Sequence, residues 1–297
     1  MYLNIGCGRQ YHKDWVNLDL ETSDSEVIRH DVTKGIPFDE NQFEAVYHSH
    51  VLEHLKPESG KQLIQECFRV LKPYGVLRVV VPDLERIAKL YLDMHNEAWS
   101  GNEDCKINYN WMKLELLDQL VRDQSGGRMG RYMASREIKN SEFVRERVGD
   151  ELSYCQSHGE LQSKSEAVKK ASLRERVAVK TMKIRKSMAR KAIRVLLGKK
   201  AESAFEEGYF RSQGEIHRWM YDRYSLRDLC QEVGFENFKV CCANESGIPN
   251  YESFALDSVN GQIRKPDSIF IECIKPNVFA NEQRVGDRNG SSKAALS

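Results

Sequence analysis

Three histidines fall within seven residues, at His48, His50 and His54, with Glu53 among them. Imidazole takes up and releases protons near neutral pH, so this cluster is a candidate source of a general base. Side chains alternate along a strand, so His48 and His50 need not share a face. If a helix starts near His50, then His50 and His54 stand four residues apart and share one. His50 is then the better base, and His54 suits helix packing or capping. A fourth histidine, His217, precedes a late helical segment together with Trp219, Tyr221 and Asp222.

A second group could hold a nucleoside. Leu3-Asn4-Ile5 runs into Gly6-Cys7-Gly8, an apolar strand entering a turn in which glycine permits positive φ and close approach of a ligand. A dinucleotide fingerprint needs a third glycine, a full helix and an acid about 20 residues on. Position 10 is Gln10, and Asp19 follows Gly8 by only 11 residues, too few for a crossover helix and a strand. A second acid, Asp31, ends the next apolar run. Acids at two successive strand ends suit ribose hydroxyls at one and an adenine amine at the other.

The elements that must position these residues alternate. Apolar runs at 3–5, 15–19, 27–31 and 45–49 predict strands. Positions Leu63, Ile64, Cys67, Val70 and Leu71 follow a helical period over 58–71. Pro73-Tyr74-Gly75 ends that helix, and Val76–Val81 is a buried strand. Rhythm returns at His217: Ser225 is a candidate cap for a helix ending at Gly234, and 238–242 and 268–274 are the last strands. Alternation of this kind argues a doubly wound, mostly parallel α/β sheet. Residues 93–214 break the rhythm and form a mainly helical insertion between a catalytic domain's two parts, 1–92 and 215–275. The polar tail 276–297 is expected to be disordered.

The residues quoted so far, with His50-Val51-Leu52-Glu53-His54-Leu55 and Arg69-Val70-Leu71-Lys72-Pro73-Tyr74-Gly75, resemble the class I S-adenosylmethionine-dependent methyltransferases, over about half of the chain. The resemblance implies the Rossmann-like methyltransferase fold and S-adenosylmethionine as cofactor. It assigns Asn4, Gly6, Cys7 and Gly8 to the methionine end, Asp19 to the ribose, Asp31 and Val32 to the adenine, and Ser49 and His50 to the neighbourhood of the sulfonium. Asn4 stands where the family usually has an acid. In that fold the region of His217 overhangs the acceptor, so His217 is a second candidate base. Trp219, Tyr221 and Asp222 there suit stacking and hydrogen bonding to a sugar ring. Some quinone-pathway O-methyltransferases bind a metal with acids and a histidine near position 50; here His50 replaces the first acid, and no metal is assigned. The truncated first crossover, Gly214–Leu226 and Arg264–Ser268 are similar to a subgroup often associated with surface-polysaccharide biosynthesis. The implied activity is methylation of a glycan or small-molecule acceptor.

Composition bounds the rest. The chain has 297 residues, 40% hydrophobic and 30% charged, which fits a folded globular protein. Its strand-like opening carries no basic and apolar leader, no window is apolar enough to span a membrane, and the eight cysteines form no C-x-x-C pair. The simplest compartment is the cytoplasm. Charge is uneven: residues 163–200 hold 14 Lys/Arg against Glu166 and Glu175, a net of +12, and with the chain at +1 the remainder carries −11. Leu173, Val177, Ile184, Met188, Ala192 and Val195 line one face of a helix there, with cations around the rest. Such a helix can lie on the anionic inner face of a membrane or pack on the core or a second subunit. A nucleic-acid-binding protein or RNA methyltransferase is the alternative. Residues 163–200 contain no Phe, Tyr or Trp for base stacking, which argues against nucleic acid.

Overall fold

The computed structural model describes residues 1–22, 24–157 and 173–277, without the side chains of 173–179 and 183. The first part of the basic segment, the Leu173 and Val177 side chains and most of the expected disordered tail lie outside the described residues.

Seven strands form one sheet: β1 (Tyr2–Ile5), β2 (Trp15–Asp19), β3 (Val27–Arg29), β4 (Phe43–Ser49), β5 (Leu71–Pro82), β6 (Glu236–Cys241) and β9 (Ser268–Ile274), in the order β3-β2-β1-β4-β5-β9-β6. Strands β1 to β5 are mutually parallel, and β9 runs antiparallel between β5 and β6. A two-stranded ribbon, β7 (Ser258–Val259) and β8 (Gln262–Ile263), stands apart. The expected mostly parallel α/β sheet is present, with β1 and β4 at its centre.

Its two faces are covered differently. On one, Leu3, Ile5, Val46, Leu77, Val79 and Ile271 pack against α1 (Pro57–Val70) and α8 (Arg223–Val233). The helices are amphipathic and bury Leu63, Ile64, Cys67 and Val70 from α1 and Leu226 and Cys230 from α8. On the other face no helix follows β1 or β2 among the described residues. Residues 6–14 and 20–26 connect the strands directly. That face is covered by an excursion between β6 and β9. Its Ala243, Ile248, Tyr251 and Leu256 pack on Trp15, Ala45, Tyr47, Val80 and Phe270.

A charged network fastens the excursion. Arg78, in the middle of β5, is fully buried. Its guanidinium donates to Asp257 and Glu272 at 2.8 Å each, and to the carbonyls of Glu245 at 2.8 Å, Ala243 at 3.1 Å and Cys242 at 3.3 Å. The hydroxyls of Tyr47 and Tyr251 donate to Asp257 at 2.6 and 2.7 Å. Glu272 stands directly across from Arg78 on β9.

The chain leaves β5 into the insertion. Helices α2 (Leu84–Trp99), α3 (Glu103–Val121), α4 (Gly127–Met133), α5 (Ser141–Val148) and α6 (residues 151–157) enclose a separate core of Ile87, Trp111, Met112, Met129, Met133, Val144, Val148 and Leu152. A buried pair, Arg147 to Glu115 at 2.5 Å, crosses it, and the Trp111 indole donates to the same carboxylate at 2.9 Å.

The basic segment differs from the single amphipathic helix expected. Helix α7 (Leu173–Arg211) folds back at Gly198, where φ is +83. Arg190 pairs with Glu202 and Glu206, Arg194 pairs with Glu202, and Lys186 lies 4.0 Å from the Tyr209 ring centroid. The arms bury Ala189 and Ile193 in part, while Ile184, Met188, Ala192 and Val195 of the expected apolar stripe are exposed. Packing of that stripe on the core is therefore not the arrangement found. Among the described residues no helix is long and apolar enough to cross a membrane.

Arg78→Met is expected to lower the unfolding free energy by about 3–5 kcal/mol, because Asp257 and Glu272 stay buried without their counter-charge. Tyr251→Phe removes one hydrogen bond to Asp257 and should cost only about 0.5–1.5 kcal/mol. Denaturant titration of both variants checks the order.

Candidate active site

The carboxyl ends of β1, β2 and β4 bring the first group together. Gly6 and Gly8 adopt φ of +63 and +55, so the turn needs glycine at both positions. A Cβ on Gly6 would stand 2.3 Å from Val51 Cγ2, whereas one on Gly8 would meet nothing within 4 Å. The Gly6 side of the turn is thus closed by the chain leaving β4, and the Gly8 side is open to a ligand.

Asp19, at the end of β2, accepts from the Gly8 amide at 2.7 Å and from the Glu21 amide at 2.9 Å. It holds the turn and keeps acceptor capacity on both oxygens. Asn4 is fully buried and donates to Asn17 at 3.2 Å, but its Oδ1 has no partner. A buried acceptor without a donor is costly, and an ammonium group would satisfy it. Cys7 contributes main chain only: its side chain is buried, and burial pushes the thiol up to about 12. Asp31 caps the short turn Val32–Lys34 and accepts from the Thr33 amide and hydroxyl at 3.1 and 2.7 Å. Ser49 ends β4. These residues fit S-adenosylmethionine: an orphaned acceptor for its ammonium, an open glycine turn, and carboxylates at the ends of β2 and β3.

The histidines are arranged around Glu53. This residue lies in the turn Leu52–His54 and is fully buried. His50 Nδ1 is 3.1 Å from Glu53 Oε1, and His50 Nε2 is 2.9 Å from Ser268 Oγ. Beside a carboxylate Nδ1 carries the proton, so Nε2 is the basic atom. His50 has φ of +55, a left-handed conformation uncommon for a residue with a side chain. His54 and His217 meet edge to face with ring centroids 4.8 Å apart. His48 points into the core, where both ring nitrogens lack partners. Burial pushes His48 down to about 4 and His217 down to about 3, so both are neutral and weakly basic. Burial alone would raise the Glu53 carboxyl, but His50, then His54 and His217, outweigh it and hold it near 2.

A cavity of about 400 Å³ opens beside this cluster, between the sheet and the insertion. His50, His54, His217, Lys265 and Asp267 line its sheet side. Arg122, Gly126, Met129, Met133, Glu151 and Tyr154 line the insertion side. Lys265 pairs with Glu151 at 2.5 Å, and Arg9 of the glycine turn lies 4.7 Å from the Tyr154 ring centroid.

Three expected acceptor contacts are elsewhere. Trp219 is half exposed and does not line the cavity. Tyr221 is buried in the core against α1 and α8. Asp222, rather than Ser225, caps α8: it accepts from the Ser225 amide at 2.8 Å, and the Ser225 hydroxyl returns the bond to the Asp222 amide at 3.0 Å. The segment after His217 runs beside Asp83, to which Tyr221 bridges, and enters α8, and none of the three side chains lines the cavity. Arg122, Glu151, Lys265, Asp267 and Ser268 are cavity or cluster residues that the sequence did not single out, and Glu53 was noted there only as a neighbour of the histidines. The Arg264–Ser268 segment was the only available signal for three of them.

Residues 3–79 match a family described as a methyltransferase domain. A comparison with curated proteins finds no match. Among solved structures, a SAM-dependent methyltransferase from Archaeoglobus fulgidus is 11% identical, with 92% of this chain and 85% of that chain covered and a TM-score of 0.34. A SAM-dependent methyltransferase from Thermotoga maritima is 11% identical over 92% of this chain and 81% of its own, with a TM-score of 0.35. A protein from Pyrococcus horikoshii OT3 is 20% identical over 30% of this chain, with a TM-score of 0.25, and the match spans only 51% of its length. Another matched structure is spanned over only 37% of its length. The matched segment 3–79 contains the glycine turn, both strand-end acids and His50, and its similarity to the methyltransferase domain implies S-adenosylmethionine as the cofactor.

Proposed function

We propose that the protein methylates a hydroxyl of a sugar or related group in a cell-surface glycan pathway. S-adenosylmethionine supplies an electrophilic methyl group, and transfer to an oxygen yields a methyl ether, S-adenosylhomocysteine and one proton. The observation that carries the reading is His50. It directly follows β4 beside the glycine turn, lines the cavity, and has its ring held between a buried carboxylate and Ser268. An acceptor hydroxyl that replaces Ser268 at Nε2 gives its proton to His50, and Glu53 stabilises the resulting imidazolium. The remaining rate comes from alignment of the acceptor in the cavity. The cavity wall supports a polar acceptor: Arg122, Lys265, Glu151, Glu215 and Asp267 offer charges of both signs around a few methionines. Trp219, Tyr221 and Asp222 have no part in this reading, and His217 is a weak base in it.

The helical hairpin supports a lipid-linked acceptor reached from the cytoplasmic side of a membrane. Its tip exposes Val195, Leu196 and Leu197 at 83, 79 and 72%. Lys191, Arg194, Lys199 and Lys200 flank them. An aliphatic tip ringed by cations suits insertion between anionic headgroups, with roughly 1 kcal/mol per cation. Base stacking would need aromatic side chains there.

Three outcomes are expected. Asp19→Ala should weaken S-adenosylhomocysteine binding by about 1.5–3 kcal/mol, the value of hydrogen bonds to a charged group, in a calorimetric titration; unchanged affinity removes Asp19 from the cofactor site. His50→Ala should lower turnover by about 10²–10⁴-fold with cofactor affinity retained. A loss of only a few-fold leaves alignment as the main source of rate. Sedimentation with vesicles should show binding to anionic but not neutral bilayers, lost when Leu196 and Leu197 are both changed to Glu. Absence of binding at low salt sinks the membrane contact.

A further inference from the structure

Four of the eight histidines, His48, His50, His54 and His217, surround one buried carboxylate. His50 Nδ1 stands 3.1 Å from Oε1. Neither carboxylate oxygen has a hydrogen-bond partner although Glu53 is fully buried. A buried carboxylate is normally satisfied by donors or a cation. Among the described residues no Lys or Arg forms an ion pair with this one. What faces it instead is two imidazoles.

We infer that Glu53, His54 and His217 bind one divalent transition-metal ion at the wall of the acceptor cavity. One ligand atom from each lies within 4.8 Å of the other two. Bonds of about 2.0–2.2 Å to a common ion bring such atoms to roughly 3–3.5 Å apart, a change that rotation of the two rings and the carboxylate supplies. The main chain already fixes the three together. The Glu53 carbonyl accepts from the amides of Arg218 and Trp219 at 2.7 and 3.2 Å, and the His217 amide donates to Gln119 at 3.0 Å. His54 Nδ1 stands 3.2 Å from the Ile216 carbonyl. That contact places the proton on Nδ1 and leaves Nε2 as the ligand atom, the outer-shell pattern that orients metal-binding histidines. Two imidazoles and one carboxylate select zinc, manganese, cobalt or iron(II) over calcium and magnesium, which prefer all-oxygen shells. His54 and His217 both line the cavity, so the coordination positions left open face the acceptor. This consequence rests on the methyltransferase reading: an acceptor hydroxyl bound there becomes more acidic and gives its proton to His50 more readily.

The test uses the full chain, stripped with a chelator and dialysed against Zn²⁺ alone. Wild type should retain about one zinc ion per chain by mass spectrometry. Cobalt(II) in its place should give visible absorption bands. His54→Ala and His217→Ala should each weaken zinc binding by at least about tenfold. Cys155→Ser, a change at another cavity-lining residue, should not. His54 is only half buried, so its variant keeps the test valid if the Glu53 or His217 variants misfold. Zinc retained equally by wild type and the His54→Ala chain, or by neither, overturns the inference. S-adenosylhomocysteine titration of the same samples separates the two readings. Zinc bound without cofactor binding leaves the metal site standing and removes the methyltransferase reading, and the reverse removes the metal site alone.

Discussion

The guanidinium of Arg78 meets two carboxylates and three carbonyls inside a sheet that lacks a helix on one side. A parallel sheet must be covered on both faces. Here the connections after β1 and β2 are too short to do so, and the excursion between β6 and β9 takes their place. Irregular chain buries polar main-chain groups that need partners. Arg78 supplies donors to the carbonyls of Cys242, Ala243 and Glu245, and Tyr47 and Tyr251 share Asp257 with it. The same network reaches the active site. Asp257 accepts at its carbonyl from the Arg264 amide at 2.9 Å. The next four residues are Lys265 to Ser268, which carry the cavity cation and the hydroxyl against His50. The cover of a bare sheet face and the position of Ser268 are therefore set by one buried cation.

Glu53 exerts a comparable constraint on the other side of the cavity. Its carbonyl anchors the returning chain at Arg218 and Trp219, and its carboxylate faces His50. A residue that serves both roles from full burial is expensive to keep ionised. His50 adds a left-handed backbone, which costs of the order of 1–3 kcal/mol. Stability is given up here, where β4 ends, and not at the symmetric position at the end of β5, where Asp83 caps α2 in an ordinary extended conformation. Strain and an under-satisfied carboxylate occurring together are what a preorganised site requires.

Elements with strong periodicity were legible in the sequence, since both faces of the sheet are apolar. The strands at 15–19 and 268–274 match their predicted bounds, and helix α1 at 57–70 is displaced by one residue from the expected 58–71. The glycine turn and Asp19 were legible because main-chain geometry there demands particular residues. Side-chain convergence over long separation was not. His217 meets Glu53 and His54 only because the insertion closes on itself, and nothing local marks that. Tyr221 and Asp222 looked like acceptor contacts because polar and aromatic residues beside a histidine resemble a site. Their actual duties, core packing and helix capping, depend on which way the chain turns after His217. The excursion at 242–257 escaped notice because it has no period, although it carries four of the nine buried residues of its face's core. In α7 the apolar spacing is real, but Gly198 reverses the chain, and contact between the two arms buries Ala189 and Ile193 instead of the longer stripe.

Near the cavity the sheet and the insertion meet through polar contacts, while Met220 of the returning chain packs on the insertion's core. Lys265 pairs with Glu151, Arg9 lies on Tyr154, the His217 amide bonds to Gln119, and Arg122 stands 3.4 Å from Glu215. Lys265 and Glu151 are partly exposed, and such a pair contributes about 0–1 kcal/mol. Each core by contrast buries several large side chains, worth about 1.5–3 kcal/mol apiece. The polar pairs beside the cavity therefore contribute little to stability next to either core. The cavity of about 400 Å³ is thus walled in part by side chains held in weak pairs, whereas the glycine turn beside it is tied to β2 through Asp19.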